Sequence, residues 1–142
     1  MRSIRVGVVM LGVALQSCVA STERWSSGVY AEIDATMFVL GDSITVTLRN
    51  ESSALRYASR CWALLRQESG KWLRVTTMPV VVCSPPYSLA PGGSTQEKIG
   101  IWSTDLGTGG IGTFRIWYTA YAPGTSPDLD GDFVSTPSFD VQ

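Results

Sequence analysis

The chain has 142 residues, a nearly even charge balance (11 Lys+Arg against 12 Asp+Glu, net −1) and no histidine. That length suits one hydrophobic core, and the charge supplies no field that would recruit nucleic acid. Without histidine, a Ser-His-Asp triad, a Cys-His dyad and a His-ligated metal site are all excluded; the chain reads as a non-enzyme with no cofactor.

At the N-terminus, Arg2 and Arg5 precede an apolar run over residues 6–15. A run of about ten residues fits a signal-peptide core and falls short of the roughly 20 that a membrane span needs. Leu15-Gln16-Ser17-Cys18 then resembles a bacterial lipobox, in which the cysteine is acylated and becomes the new N-terminus. Residues 1–17 are therefore expected to be a lipoprotein signal peptide and Cys18 the lipidation site, with plain secretion as the alternative. Val19 does not resemble an inner-membrane retention signal. The expected address is the cell envelope, at the outer membrane and facing the periplasm. Loss of Arg2 and Arg5 with the leader moves the net charge to about −3.

Residues 18–28 are small and polar and read as a tether; residues 29–142 read as the folded domain. An irregular strand region is expected over 29–40 and a clean strand over 43–50. In the latter, Ile44, Val46 and Leu48 share one face and Thr45, Thr47 and Arg49 the other. A polar turn leads to a strand over 57–67, and Glu68-Ser69-Gly70 reverses the chain into 71–75. A β-branched run at 80–83 stops at Pro85-Pro86. Strands over 95–102, 113–122 and 133–141 complete the pattern, separated by Pro-Gly and Gly-rich turns. So many short strands with no amphipathic helix predict an all-β antiparallel sandwich.

Assigning Cys18 to a lipid leaves Cys61 and Cys83, which an oxidising compartment would pair. The loop so closed has about 22 residues, worth roughly 3 kcal/mol by loop entropy. No CxxC spacing supports a redox or metal pair instead.

The order of "VTLRNES" (46–52), "CWALLRQESGKW" (61–72), "LAPGGS" (89–94) and "GTFRIWY" (112–118) resembles bacterial immunoglobulin-like domains of envelope lipoproteins. The resemblance implies an immunoglobulin-like sandwich of about seven strands, a binding or scaffolding module with no catalytic residue to carry over. The short Cys61–Cys83 spacing departs from the antibody framework, so its disulfide geometry is not transferred. A related pattern in sandwich-fold bacterial proteinase inhibitors implies the alternative function. For that role, Cys83-Ser84-Pro85-Pro86-Tyr87 would be the stiffened loop.

Alternation also predicts a surface. Along 57–67, Tyr57, Cys61, Ala63 and Leu65 are expected inward, and Arg60, Trp62, Leu64 and Arg66 outward. Along 113–122, Phe114, Ile116, Tyr118 and Ala120 are expected inward, with Arg115, Trp117, Thr119 and Tyr121 outward. Trp72 and Arg74 alternate on the neighbouring strand. The candidate binding face is thus Arg60, Trp62, Arg66, Trp72, Arg74, Arg115, Trp117 and Tyr121. It reads either as a self-satisfied stacking ladder or as a recognition surface for an envelope protein or glycan.

Three other patterns fit solvated loops or edges better than sites. Asp128-Leu129-Asp130-Gly131-Asp132 begins like a calcium loop, but glycine falls at position four and Phe139 at position twelve. The glycines at 107–112 carry no lysine and open no helix. Glu32 and Asp34, two apart on a strand, would need a pocket to act as an acid–base pair.

Overall fold

The computed structural model describes residues 28–77, 85–100 and 111–142. The leader, Cys18, the tether through residue 27, Cys83 and the glycines at 107–110 lie outside them. The described chain forms two sheets. The smaller contains β1 (Val29–Ile33), β3 (Ser43–Asn50) and β8 (Ser94–Gly100), in the antiparallel order β1-β3-β8. The larger is built around β9 (Gly112–Tyr121). On one side of β9 lie β4 (Arg56–Ala58) and β5 (Ala63–Glu68), and on the other β10 (Asp132–Ser135) and β11 (Phe139–Val141). Beyond these, β6 (Lys71–Thr77) pairs with β5, β7 (Tyr87–Leu89) with β4, and β2 (Met37–Phe38) runs parallel to β11.

This is the immunoglobulin-like arrangement. The first strand divides between the sheets, β1 joining β3 and β2 joining β11, while the third and eighth strands share one sheet and the fifth and ninth the other. Ile44, Val46 and Leu48 from β3 meet Phe114, Ile116, Tyr118 and Ala120 from β9 across the core, all essentially buried. Eleven strand segments stand among the described residues, where the sequence suggests about seven. The excess comes from interruption. The expected strand 57–67 breaks at residues 59–62, where two extra residues bulge out against β9. The expected last strand breaks at Thr136, whose hydroxyl accepts from the Ile116 amide at 3.0 Å.

Two hairpin turns follow their sequences closely. Ser69 and Gly70 both take positive φ (50° and 77°) between the paired Glu68 and Lys71, the two-residue turn whose twist matches antiparallel strands. Pro91-Gly92 makes a type II turn: Gly92 has φ 71° and the Gly93 amide donates to Ala90 at 2.8 Å.

Asn50, at the end of β3, is fully buried and saturates its hydrogen-bonding groups. Its Nδ2 donates to the carbonyls of Ala54 (2.8 Å), Leu89 (2.9 Å) and Ala90 (3.2 Å). Its Oδ1 accepts from the Ser52 amide (2.9 Å) and hydroxyl (2.7 Å). One side chain thereby ties the β3–β4 turn to the end of β7. Asn50→Asp places acceptors against the same carbonyls and should cost about 3 kcal/mol or more, the price of unsatisfied buried groups. Urea denaturation of the variant beside Asn50→Ala, expected at about 2 kcal/mol, measures it.

Candidate functional site

Strand register divides the eight residues of the expected face into two groups. On β9 the outward positions are Arg115, Trp117, Thr119 and Tyr121, as alternation suggests, because Phe114, Ile116, Tyr118 and Ala120 fill the core. On β6, Arg74 stands opposite Leu65 and Trp72 opposite Gln67. Leu65 is also opposite Arg115, so both arginines lie on the outer face with Leu65 between them. Trp72, Arg74, Arg115, Trp117 and Tyr121 therefore share one surface.

Arg60, Trp62 and Arg66 do not. The phase of 57–67 is the reverse of the expected one: Leu64 pairs with the buried Ile116, Arg66 with the buried Phe114, and Ala58 with the buried Ala120. Tyr57 pairs with Tyr121 and faces out, and Ala63 and Leu65 lie under the outer face. Trp62 packs against the core. The physical reason is that Ala63-Leu64-Leu65 is apolar in either phase, so alternation alone does not fix it. The charged positions are accommodated inward by ring stacking: Arg60 lies 4.7 Å from the centre of Tyr87 and Arg66 5.9 Å from that of Phe114. Arg66 also donates to the Ile111 carbonyl (3.1 Å) and pairs with Glu68 at 3.7 Å.

The outer surface is a line of ring contacts along β9. Tyr121 meets Tyr57 edge-on at 5.8 Å, Trp117 stacks on Phe133 at 4.8 Å and 21°, and the Arg115 guanidinium lies 4.5 Å from the centre of Trp72. Tyr121 stands six residue steps along the strand from Arg115, so the line runs for about 20 Å at about 3.3 Å per step. Arg115 Nε is buried against the indole without a hydrogen-bond acceptor. Tyr121 keeps its proton: burial and then the neighbouring Tyr57 push its pKa above the ordinary phenol range.

Beneath the opposite face lies a feature that sequence reasoning missed. Glu97 of β8 pairs with Val46 and points between the sheets, where it accepts from Tyr118 Oη at 3.1 Å. Burial raises its pKa, while hydrogen bonds from Tyr118 and Tyr87, the Arg60 charge and the Trp62 indole oppose the rise. Tyr118 is driven up by burial and by that carboxylate and stays protonated as the donor. The signal was available: in Ser94–Gly100 the residues Thr95, Glu97 and Ile99 alternate in phase with the core.

Tyr87, the last residue of the suggested inhibitor loop, is drawn inward toward Arg60 and Glu97. Cys61 is half-buried. Residues 127–130 form a single helical turn, α1 (Pro127–Asp130), and no group of three or more potential metal ligands gathers among the described residues. Glu32 pairs with Arg49 at 3.8 Å on the surface. Asp34 accepts from the Thr45 amide at 3.0 Å; slight burial raises its pKa, but hydrogen bonds from Thr45 and nearby amides outweigh this and lower it.

No protein-family model and no curated protein matches the chain. Among solved structures, the alkylpurine DNA glycosylase AlkC of Pseudomonas fluorescens is 12% identical with a TM-score of 0.47, over 82% of this chain and 31% of that one. A β-glucosidase from Listeria innocua is 14% identical with a TM-score of 0.38, over 82% of this chain and 16% of that one. A PapD-like domain of human CEP192 is 17% identical with a TM-score of 0.35, over 97% and 94%. The chain thus spans under a third of the first and under a fifth of the second.

The two tryptophan environments predict different costs. Trp62→Ala, which opens the core, should lose about 3 kcal/mol; Trp72→Ala, which loses one surface stack, about 1 kcal/mol. Thermal melts of the two variants compare them. The carboxylates predict opposite pH slopes. Glu97 has a raised folded-state pKa, so its contribution to stability falls as pH rises from its ordinary 4.5 through the raised value. Asp34 has a lowered one, so its contribution is present above its ordinary 3.8 and is lost as pH falls through the folded-state value. Urea midpoints across pH should show Glu97→Gln flattening the limb above 4.5 and Asp34→Asn the acid limb.

Proposed function

We propose that this chain is a non-catalytic, lipid-anchored immunoglobulin-like binding module of the bacterial cell envelope, related to the envelope lipoprotein domains that its motifs resemble. Cys18 carries the lipid at the outer membrane, and the domain faces the periplasm. The lipobox-like residues 15–18 support the anchor. Pairing of Cys61 with Cys83 belongs to the same proposal, since an oxidising compartment favours it.

The observation that carries the binding role is the Arg115–Trp72 stack, continued along β9 by Trp117 on Phe133. Aromatic and arginine side chains held at fixed positions dominate binding energetics because they offer large contact area with little rotamer freedom left to lose. Phe133 remains 44% exposed although its ring is stacked, so its outer face is open to a partner.

Two measurements test the proposal. In a bacterial host, globomycin should make the uncleaved precursor accumulate, and labelled fatty acid should enter the wild-type protein but not Cys18→Ser. Normal maturation with an unmodified Cys18 rejects the anchor. Separately, the immobilised mature protein should retain outer-membrane or cell-wall material. Arg115→Gln combined with Trp117→Ala should cut that retention at least tenfold with the urea midpoint moved by less than about 2 kcal/mol in stability. Equal retention by the variant rejects the face.

A further inference from the structure

Resting on the binding role above, we infer that the outer face of β9, β5 and β6 is built for an acidic glycan, a chain of sugars bearing carboxylate groups. Rings positioned along one strand suit the apolar C–H faces of successive sugars, whereas the two arginines take the acid groups.

The charge pattern carries the choice. Arg115 and Arg74 flank Leu65 from either side, about 10 Å apart across one intervening strand. Leu65 is 3% exposed, so the apolar floor between the two guanidiniums is itself covered. Neither guanidinium is paired with a carboxylate among the described residues. Arg115 is instead held flat on Trp72, which orients its remaining N–H groups without neutralising them. On the outward positions of the larger sheet the carboxylate among the described residues is Asp140, and it is engaged by the Thr113 hydroxyl at 2.6 Å.

The far end of the line has the opposite sign. Gly131 approaches the Thr119 side chain so closely that an added Cβ would overlap it, which seats α1 beside Thr119 with Asp128 and Asp130 exposed. An acidic chain is thereby favoured at the Arg115–Arg74 end and repelled at the α1 end, which gives the face a direction. Placement on a sheet face rather than along an edge also separates this mode from strand addition, in which a peptide uses backbone hydrogen bonds. Trp117 and Phe133 sit between the two ends, beside the small, buried Ala63 that pairs with Trp117.

The test uses the purified full chain and three probes: oligogalacturonate, its neutral methyl ester, and poly-L-glutamate. Calorimetry should show oligogalacturonate binding that weakens with added salt, with the ester at least tenfold weaker. Arg74→Gln with Arg115→Gln should weaken binding at least tenfold, Trp117→Ala should weaken it similarly, and Arg49→Gln on the other sheet should leave it unchanged. Because Arg74 is exposed, Arg74→Gln alone gives a partial loss in a protein that folds normally. Equal binding of the ester, with dependence on Trp117, overturns the acidic requirement and leaves the binding face standing. Poly-L-glutamate bound as tightly through the same arginines overturns the glycan in favour of an acidic peptide. No binding of any probe at millimolar concentration overturns the inference, and the envelope-retention experiment then decides the parent proposal by itself.

Discussion

Phe114, Ile116, Tyr118 and Ala120 on β9 alternate strictly with Arg115, Trp117, Thr119 and Tyr121, and both the core and the outer surface hang on that alternation. Side chains on a strand repeat every two residues, so a slip of one residue would exchange the two sets completely. Several neighbours make such a slip costly. Four strand segments pair with β9, two along each side, and the Thr136 hydroxyl holds the Ile116 amide at the break between β10 and β11. The four inward side chains are 0–1% exposed. Exchanging them for an arginine, an indole and two polar groups would place unpaired charge in the core. The ring line outside is thus fixed by packing inside, not by its own weaker contacts.

How legible this was in the sequence varies by strand. In β3 Ile44, Val46 and Leu48 alternate with Thr45, Thr47 and Arg49, and in β9 Phe114, Ile116 and Tyr118 alternate with Arg115, Trp117 and Thr119, so their phase could be read directly. The hairpin at Ser69-Gly70 and the turn at Pro91-Gly92 were legible because their backbone requirements select those residues. The stretch 57–67 was not. Three apolar residues in a row remove the phase information, and a charge rule that sends arginine outward fails when a ring lies beneath the guanidinium. Tyr87 and Phe114, which supply those rings, are far away in sequence. The role of Asn50 was hidden for the same reason: two of its carbonyl acceptors, on Leu89 and Ala90, come from a distant part of the chain. The strand pattern therefore revealed the sheet positions of Trp72, Arg74, Arg115, Trp117 and Tyr121, but not the inward placement of Arg60, Trp62 and Arg66.

Asn50 and Glu97 show two ways of keeping polar groups inside. Asn50 is neutral, and both ends of its amide are matched, so it fixes geometry with no standing electrostatic cost. Glu97 carries a charge that burial disfavours and that Tyr118, Tyr87, Trp62 and Arg60 only partly offset. Its location gives that cost a role. Among the described residues β8 is an outer strand of the smaller sheet, with Glu97 turned inward and Lys98 exposed. An inward charge on an edge strand discourages another chain from extending the sheet, because any new neighbour must also pack against the carboxylate.

The divided first strand has a mechanical consequence. β2 and β11 run parallel and lie toward opposite ends of the chain, joined by Asp140 to Thr36 at 2.8 Å and Gln142 to Phe38 at 3.0 Å. A pull that draws the two ends of the chain apart along this pair loads both bonds in shear at once, whereas an antiparallel hairpin pulled at its open end peels bond by bond. Resistance to such a pull is a rate, set by the barrier to unfolding and not by equilibrium stability. For a domain held at its N-terminal side against a surface, the parallel pair acts as a brake on stretching.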